Sequence, residues 1–155
     1  MGISVDQGSG GAVLFLQDDA ERTLPIWIGI TEATAIAKEL EGVELPRPMT
    51  HDLFRDVLRA AGIEIERIEV VDLRDNTYFA EIVVKDPKGR EQRVDSRPSD
   101  AIALAVRMDA SIFVHEQVLR KSQPAAQEFP SPTDKEGWKK LLAEMDPEDF
   151  GKYKM

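Results

Sequence analysis

Two short blocks of the sequence hold the residue types that phosphoryl or proton-transfer chemistry uses. One is Arg47-Pro48-Met49-Thr50-His51-Asp52, the other Asp95-Ser96-Arg97-Pro98-Ser99-Asp100. Hydrolysis of a phosphodiester needs an activated nucleophile, stabilisation of charge on the phosphoryl oxygens and a proton for the leaving oxygen. The catalytic candidates are therefore His51, Asp52, Asp95, Arg97 and Asp100. Arg47, Thr50, Arg97 and Ser99 are the candidates for holding phosphate, because a guanidinium presents a fork of donors and a helix start adds unpaired amides. Asp95, Asp100 and Glu32 are hard oxygen ligands that could accept a divalent cation such as magnesium or manganese. Each choice has a plainer counterpart. Glu32 and Asp100 fall where a helix dipole alone favours an acid, and Arg97 could simply brace its corner by pairing with Asp95 or Asp100. His51 could equally make a structural hydrogen bond, and His115 reads as a solvated strand end.

Neither block is sufficient alone. The first offers a histidine, the side-chain type suited to moving protons at neutral pH, but little to neutralise a developing phosphate charge; the second offers a cation and acids without a histidine. A working site therefore requires the two blocks to face each other. The elements that must bring this about are legible. Proline after Arg97 disfavours helix at that arginine, so an extended segment should end there and a helix of small residues should follow, with Ser99 as N-cap and Asp100 in its first turn. A second helix should start at Thr50-His51-Asp52 and end at Gly62, carrying Leu53, Phe54, Val57, Leu58 and Ala61 on one face and Arg55 and Arg59 on the solvated opposite face. Those two arginines, with Arg47, could alternatively form a phosphate-gripping patch.

The strand-corner-helix pattern occurs twice. Ser99 lies 68 residues after Thr31 (99 − 31), and at that spacing Thr31-Glu32-Ala33-Thr34-Ala35-Ile36-Ala37 falls on Ser99-Asp100-Ala101-Ile102-Ala103-Leu104-Ala105 without a gap. Going backwards, Ile26 falls on Val94, Arg22 on Arg90, Asp18 on Asp86, Ala12 to Leu16 on Ala80 to Val84, and Ile3 to Val5 on Val71 to Leu73. So long a period with only two copies suits two halves of one pseudo-symmetric domain, not a solenoid. The fold class expected is α+β, with strand-strand-strand-helix units at about 1–45 and 67–113 and helices capped at Thr31 and Ser99. The halves diverge at the corner, where the first has Trp27-Ile28-Gly29-Ile30 in place of Asp95-Ser96-Arg97-Pro98. Chemistry belongs with the polar copy.

Composition bounds the rest. A chain of 155 residues, 42% hydrophobic and without cysteine, can bury one core and can have no disulfide or thiolate site. No apolar run approaches the roughly 20 residues needed to span a bilayer, and no secretory pattern opens the chain, so no membrane partner and a cytoplasmic location are expected. A net charge of −9 argues against passive binding along nucleic-acid phosphates, though not against an enzyme that grips phosphate at one patch. Residues 1–119 read as the domain and 120–132 as a proline-rich linker. Residues 133–155 read as a helix with a Trp138, Leu141, Leu142 and Met145 stripe, followed by an acidic tail.

Leu24-Pro25-Ile26-Trp27-Ile28-Gly29, Glu32-Ala33 with Ala35-Ile36-Ala37, Arg47-Pro48-Met49-Thr50-His51-Asp52-Leu53 and Asp95 to Ala105 stand in one order. In this the chain resembles the bifunctional nuclease family over about residues 1–120. The resemblance implies a DNase and RNase activity on nucleic acid. It also implies one barrel-like mixed sheet built from two strand-and-helix repeats with helices outside, and a homo-oligomer, in the first instance a dimer. It brings no assignment of catalytic residues. The alternative function is a non-catalytic binding or assembly module whose polar corner holds an anion.

Overall fold

The computed structural model describes residues 1–5 and 11–126. In chain order these form β1 (Gly2–Val5), β2 (Gly11–Gln17), β3 (Thr23–Gly29), α1 (Ile30–Leu40), α2 (Thr50–Ala60), β4 (Glu64–Arg74), β5 (Thr77–Lys85), β6 (Glu91–Ser96), α3 (Pro98–Met108), β7 (Ser111–Val114) and α4 (Glu116–Ala126). The described chain falls into two units, one of residues 1–33 with the part from Leu119 on, the other of residues 34–118.

The first unit holds the antiparallel sheet β1-β2-β3. β2 is buried from Gly11 to Leu16, as its unbroken apolar run requires of a central strand, and Leu14 and Leu24 are fully buried. The second unit holds the sheet β6-β5-β4-β7, in which β7 runs parallel to β4 and the other neighbours are antiparallel. α3 lies on β4, β5 and β7, and its small residues let it approach closely. Ala101, Ile102, Ala103, Leu104 and Ala105 are all buried. Ile102 alone contributes about 1.5–3 kcal/mol by leaving water.

The spacing of 68 reappears between like elements. α1 spans 30–40 and α3 spans 98–108 (98 − 30 and 108 − 40). Leu14 stands opposite Ile26 as Ile82 stands opposite Val94. In the first hairpin turn Asp18 accepts from the amides of Ala20 and Arg22 through Oδ1 and from Arg22 Nε through Oδ2 at 2.7 Å. In the other, Asp86 accepts from the amides of Lys88 and Arg90 and from Arg90 Nε at 2.7 Å. Both turns need a left-handed residue, Glu21 (φ 61°) in one and Gly89 (φ 78°) in the other.

Five expectations need correction. The strands hydrogen-bond into two separate sheets and close no barrel among the described residues. Ile3 to Val5 do not correspond to Val71 to Leu73 by pairing: Ile3 stands opposite Leu14, whereas the residue opposite Ile82 is Ile68 and not Val71. The N-cap of α3 is Arg97 and not Ser99, since Pro98 needs no amide partner at the first helical position and its ring presets the helical φ. α1 likewise begins at Ile30, so Thr31 lies within its first turn. Residues 120–126 are helical, with Val118 and Ser122 both buried four residues apart in α4. The remainder of the expected linker, from 127, and the 133–155 helix and tail lie outside the described residues.

The fifth correction concerns α2. Its apolar stripe faces out: Leu53 is 55% exposed, Phe54 and Val57 are exposed too, and the helix has no buried residue. The polar side carrying His51, Asp52 and Arg55 is the one turned inward, with Arg55 held by Asp56 at 2.9 Å. Ion pairs and hydrogen bonds to α3, described next, take the place of apolar packing.

Candidate functional site

Asp52 and Asp100 occupy the same local position, the third residue of a helix, where exposed amides and the dipole favour an acid. They are used differently. Asp52 folds back to accept from the Met49 amide at 2.9 Å through Oδ2, closing the start of α2, while its Oδ1 accepts from Arg107 Nε at 2.7 Å. Asp100 turns across to α2. Its Oδ1 lies 3.1 Å from His51 Nε2 and its Oδ2 accepts from Arg97 Nε at 2.6 Å. The two sequence blocks thus meet through His51 and Asp100.

The electrostatics follow from these bonds. The His51 hydrogen bond, and next to it the Arg97 guanidinium, hold the Asp100 carboxyl at about 2 against the opposing effect of burial. Asp100 is therefore an ionised acceptor at neutral pH. With Nε2–H donating to it, the basic nitrogen of a neutral His51 ring is Nδ1. Asp100 is 32% exposed and Arg97 about half exposed, so solvent reaches this trio. Asp52 is held below the usual carboxylate range chiefly by Arg107, then by the Met49 amide.

The remaining candidates are more scattered. Arg97 pairs with Asp100, the bracing arrangement that its sequence context already allowed. Asp95 is exposed on β6, opposite Glu81 of β5 and apart from the contacts of the trio. Ser99 is buried in the first turn of α3, an unfavourable place for gripping phosphate, and Thr50 and Arg47 are exposed. Glu32 belongs to the first unit, where its carboxylate fills the space that a side chain at Gly29 would take. Among the described residues no group of three or more His, Asp or Glu side chains is arranged to hold a metal ion.

Sequence reasoning missed two features. Arg107 is 4% exposed and joins three helices, donating to Asp52, to the Ala103 carbonyl at 2.8 Å and to the Ala35 carbonyl at 2.9 Å, with Glu39 at 3.8 Å. Its signal was available: it follows Ala103 and Leu104 by four and three residues, which puts a charge on the buried stripe of α3. Ala35 and Ala103 are themselves 68 residues apart (103 − 35). The second feature is His115, which is not merely solvated. Its Nε2 lies 3.1 Å from Glu69 Oε2, and Glu69 also accepts from Arg67 Nε at 2.7 Å and Arg93 Nη1 at 3.1 Å. Burial by itself would raise the Glu69 carboxyl, but Arg93, Arg67 and His115 outweigh it and hold that carboxyl at about 2. No pattern within a few residues joins positions 67, 69, 93 and 115; pairing of the strands does.

The sequence profile described as the bifunctional nuclease domain matches residues 13–127, a span that contains both blocks and Arg107. The chain belongs to the bifunctional nuclease domain family. An uncharacterized protein of Mycobacterium tuberculosis is 38% identical over 162 aligned residues, covering 97% of this chain and 94% of that relative. Among more distant members, bifunctional nuclease 2 of Oryza sativa is 26% identical over 120 residues, covering 73% of this chain and 37% of its own. Bifunctional nuclease 2 of Arabidopsis thaliana is 29% identical over 105 residues, covering 66% and 32%. The aligned region is thus about a third of each plant protein. Among the described residues no helix is long and apolar enough to cross a membrane.

Proposed function

We propose that this chain is a phosphodiester hydrolase acting on nucleic acid, with His51 as the proton-transfer group, Asp100 as its orienting acceptor and Arg97 as the cation nearest the reacting phosphate. The observation that carries the reading is the convergence of His51, Asp100 and Arg97, drawn from two distant blocks onto one partly exposed carboxylate. In the proposed step a water oxygen bonds to phosphorus while its proton passes to His51 Nδ1. The bond to the leaving oxygen breaks, and the imidazolium returns the proton to that oxygen. Asp100 stays ionised and stabilises the imidazolium, and Arg97 and Arg47 offset charge on the phosphoryl oxygens. The names of the plant relatives support the substrate class.

The test is hydrolysis of single-stranded and duplex DNA and RNA by highly purified protein, with and without EDTA, beside His51→Ala. Activity that disappears in the variant supports the reading, and equal activity in both proteins removes His51. Loss with EDTA would assign a divalent cation to the step. A second reading, an assembly module with an anion-binding corner, is favoured by the exposed apolar stripe of α2. Under either reading we infer a homo-oligomer and an origin of the domain in duplication, the latter supported by the matching hairpin turns and by the matching registers of β2 with β3 and β5 with β6.

A further inference from the structure

We propose that Arg107 is the positioning residue of the site: by holding Asp52 it sets the first turn of α2 so that His51 meets Asp100. The inference rests on the reading of His51 and Asp100 as the acid-base pair. His51 reaches Asp100 only if α2 keeps its place against α3, and α2 has no buried residue with which to secure that place by apolar packing. The tie is polar. Asp52, next in sequence to His51, gives one oxygen to the start of its own helix at Met49 and the other to Arg107. Arg107 in turn is fixed on both sides by the carbonyls of Ala103 in α3 and Ala35 in α1. A guanidinium suits this position because its planar fork serves three acceptors in set directions, which a lysine ammonium on a flexible stem does not. Arg107 hydrogen-bonds to neither His51 nor Asp100. It acts through Asp52.

The experiment uses the full chain with Arg107→Met and Asp52→Asn, measuring turnover, melting temperature and the NMR titration of the Asp100 side-chain carboxyl. If Arg107 positions His51, both variants release the ring. The Asp100 titration should then rise from about 2 toward the ordinary value of about 4. Turnover should fall about 100-fold with KM little changed, the cost of a small misplacement of a reacting group. Arg107→Lys should recover only part of this. A folded variant with a lower melting temperature but an unmoved Asp100 titration would make Arg107 a structural clamp and overturn the proposal. Should Arg107→Met fail to fold, Asp52→Asn is read by the same criterion. A wild-type protein without hydrolytic activity would defeat the proposed function, yet the Asp100 titration would still decide what Arg107 does.

Discussion

The second unit contains two clusters made of the same kinds of side chain, a histidine and one or two arginines around one carboxylate. In one, Glu69 is 11% exposed on the sheet and takes bonds from Arg67 of its own strand, Arg93 of β6 and His115 beyond β7. Arg93 continues to Glu81 of β5 at 2.8 Å and Arg67 to Glu91 of β6 at 3.4 Å, so the cluster laces β4, β5 and β6 together and ties in the residue that follows β7. In the other, Asp100 takes bonds from His51 and Arg97 at the start of a helix. The difference lies in how completely the carboxylate is occupied and what backbone holds it. Three partners, two of them arginines, on a hydrogen-bonded sheet leave Glu69 little to offer a substrate. Two partners at a helix start leave Asp100 more open, 32% exposed against 11% for Glu69, beside a histidine whose second nitrogen can do work. A histidine beside a carboxylate is thus weak evidence of catalysis until the remaining bonds of that carboxylate are known.

The contrast is broken most sharply by exchanging which histidine is lost. His51→Ala should lower nuclease turnover by about 10²–10⁴-fold, the range for a general acid-base group, while His115→Ala leaves turnover per folded molecule unchanged. Equal losses in the two variants would erase the distinction. Arg97→Ala comes next. Loss of one donor to the phosphoryl charge should cost about 3 kcal/mol in activation free energy, seen as a fall in turnover with a small change in melting temperature. A lower melting temperature with undiminished specific activity would confine Arg97 to bracing Asp100.

Glu69→Gln should act in the opposite sense, on stability and not on activity. Leaving arginine partners without their carboxylate should cost about 1–3 kcal/mol in urea unfolding at neutral pH. The smallest effect concerns acid. Glu69 and Asp100 are each held at about 2 in the folded chain, from ordinary values of 4.5 and 3.8. A depressed folded pKa gives stability that is complete above the ordinary value and is lost as pH falls through the folded one, here between about 4.5 and 2. The wider gap belongs to Glu69, so Glu69→Gln should flatten the acid limb of a stability-pH curve more than Asp100→Asn. The reverse order would show that the helix-start carboxylate is the more tightly held.

Much of this molecule follows from local sequence. The separation of 68 residues between like strands, turns and helices is visible because side-chain period, turn chemistry and small-residue packing each act over a few residues. Asp18 and Asp86 close their turns with the arginine four residues on, and nothing distant is needed for that. The two candidate blocks were recognisable for the same reason, and so was the need for them to meet. Cap positions shifted where Pro98 competed with Ser99 for the helix start, also a local matter. What only the tertiary structure decided is the set of partners across long loops. Hydrophobic periodicity marked the stripe on α2 but not that its charged side would turn inward, because that choice depends on Arg107 waiting 55 residues away to receive Asp52. Glu69 found His115, 46 residues on, because β7 lies parallel to β4. A charge on a strand or helix is free to choose among partners until the fold brings one within about 3 Å, where direction and desolvation decide the bond.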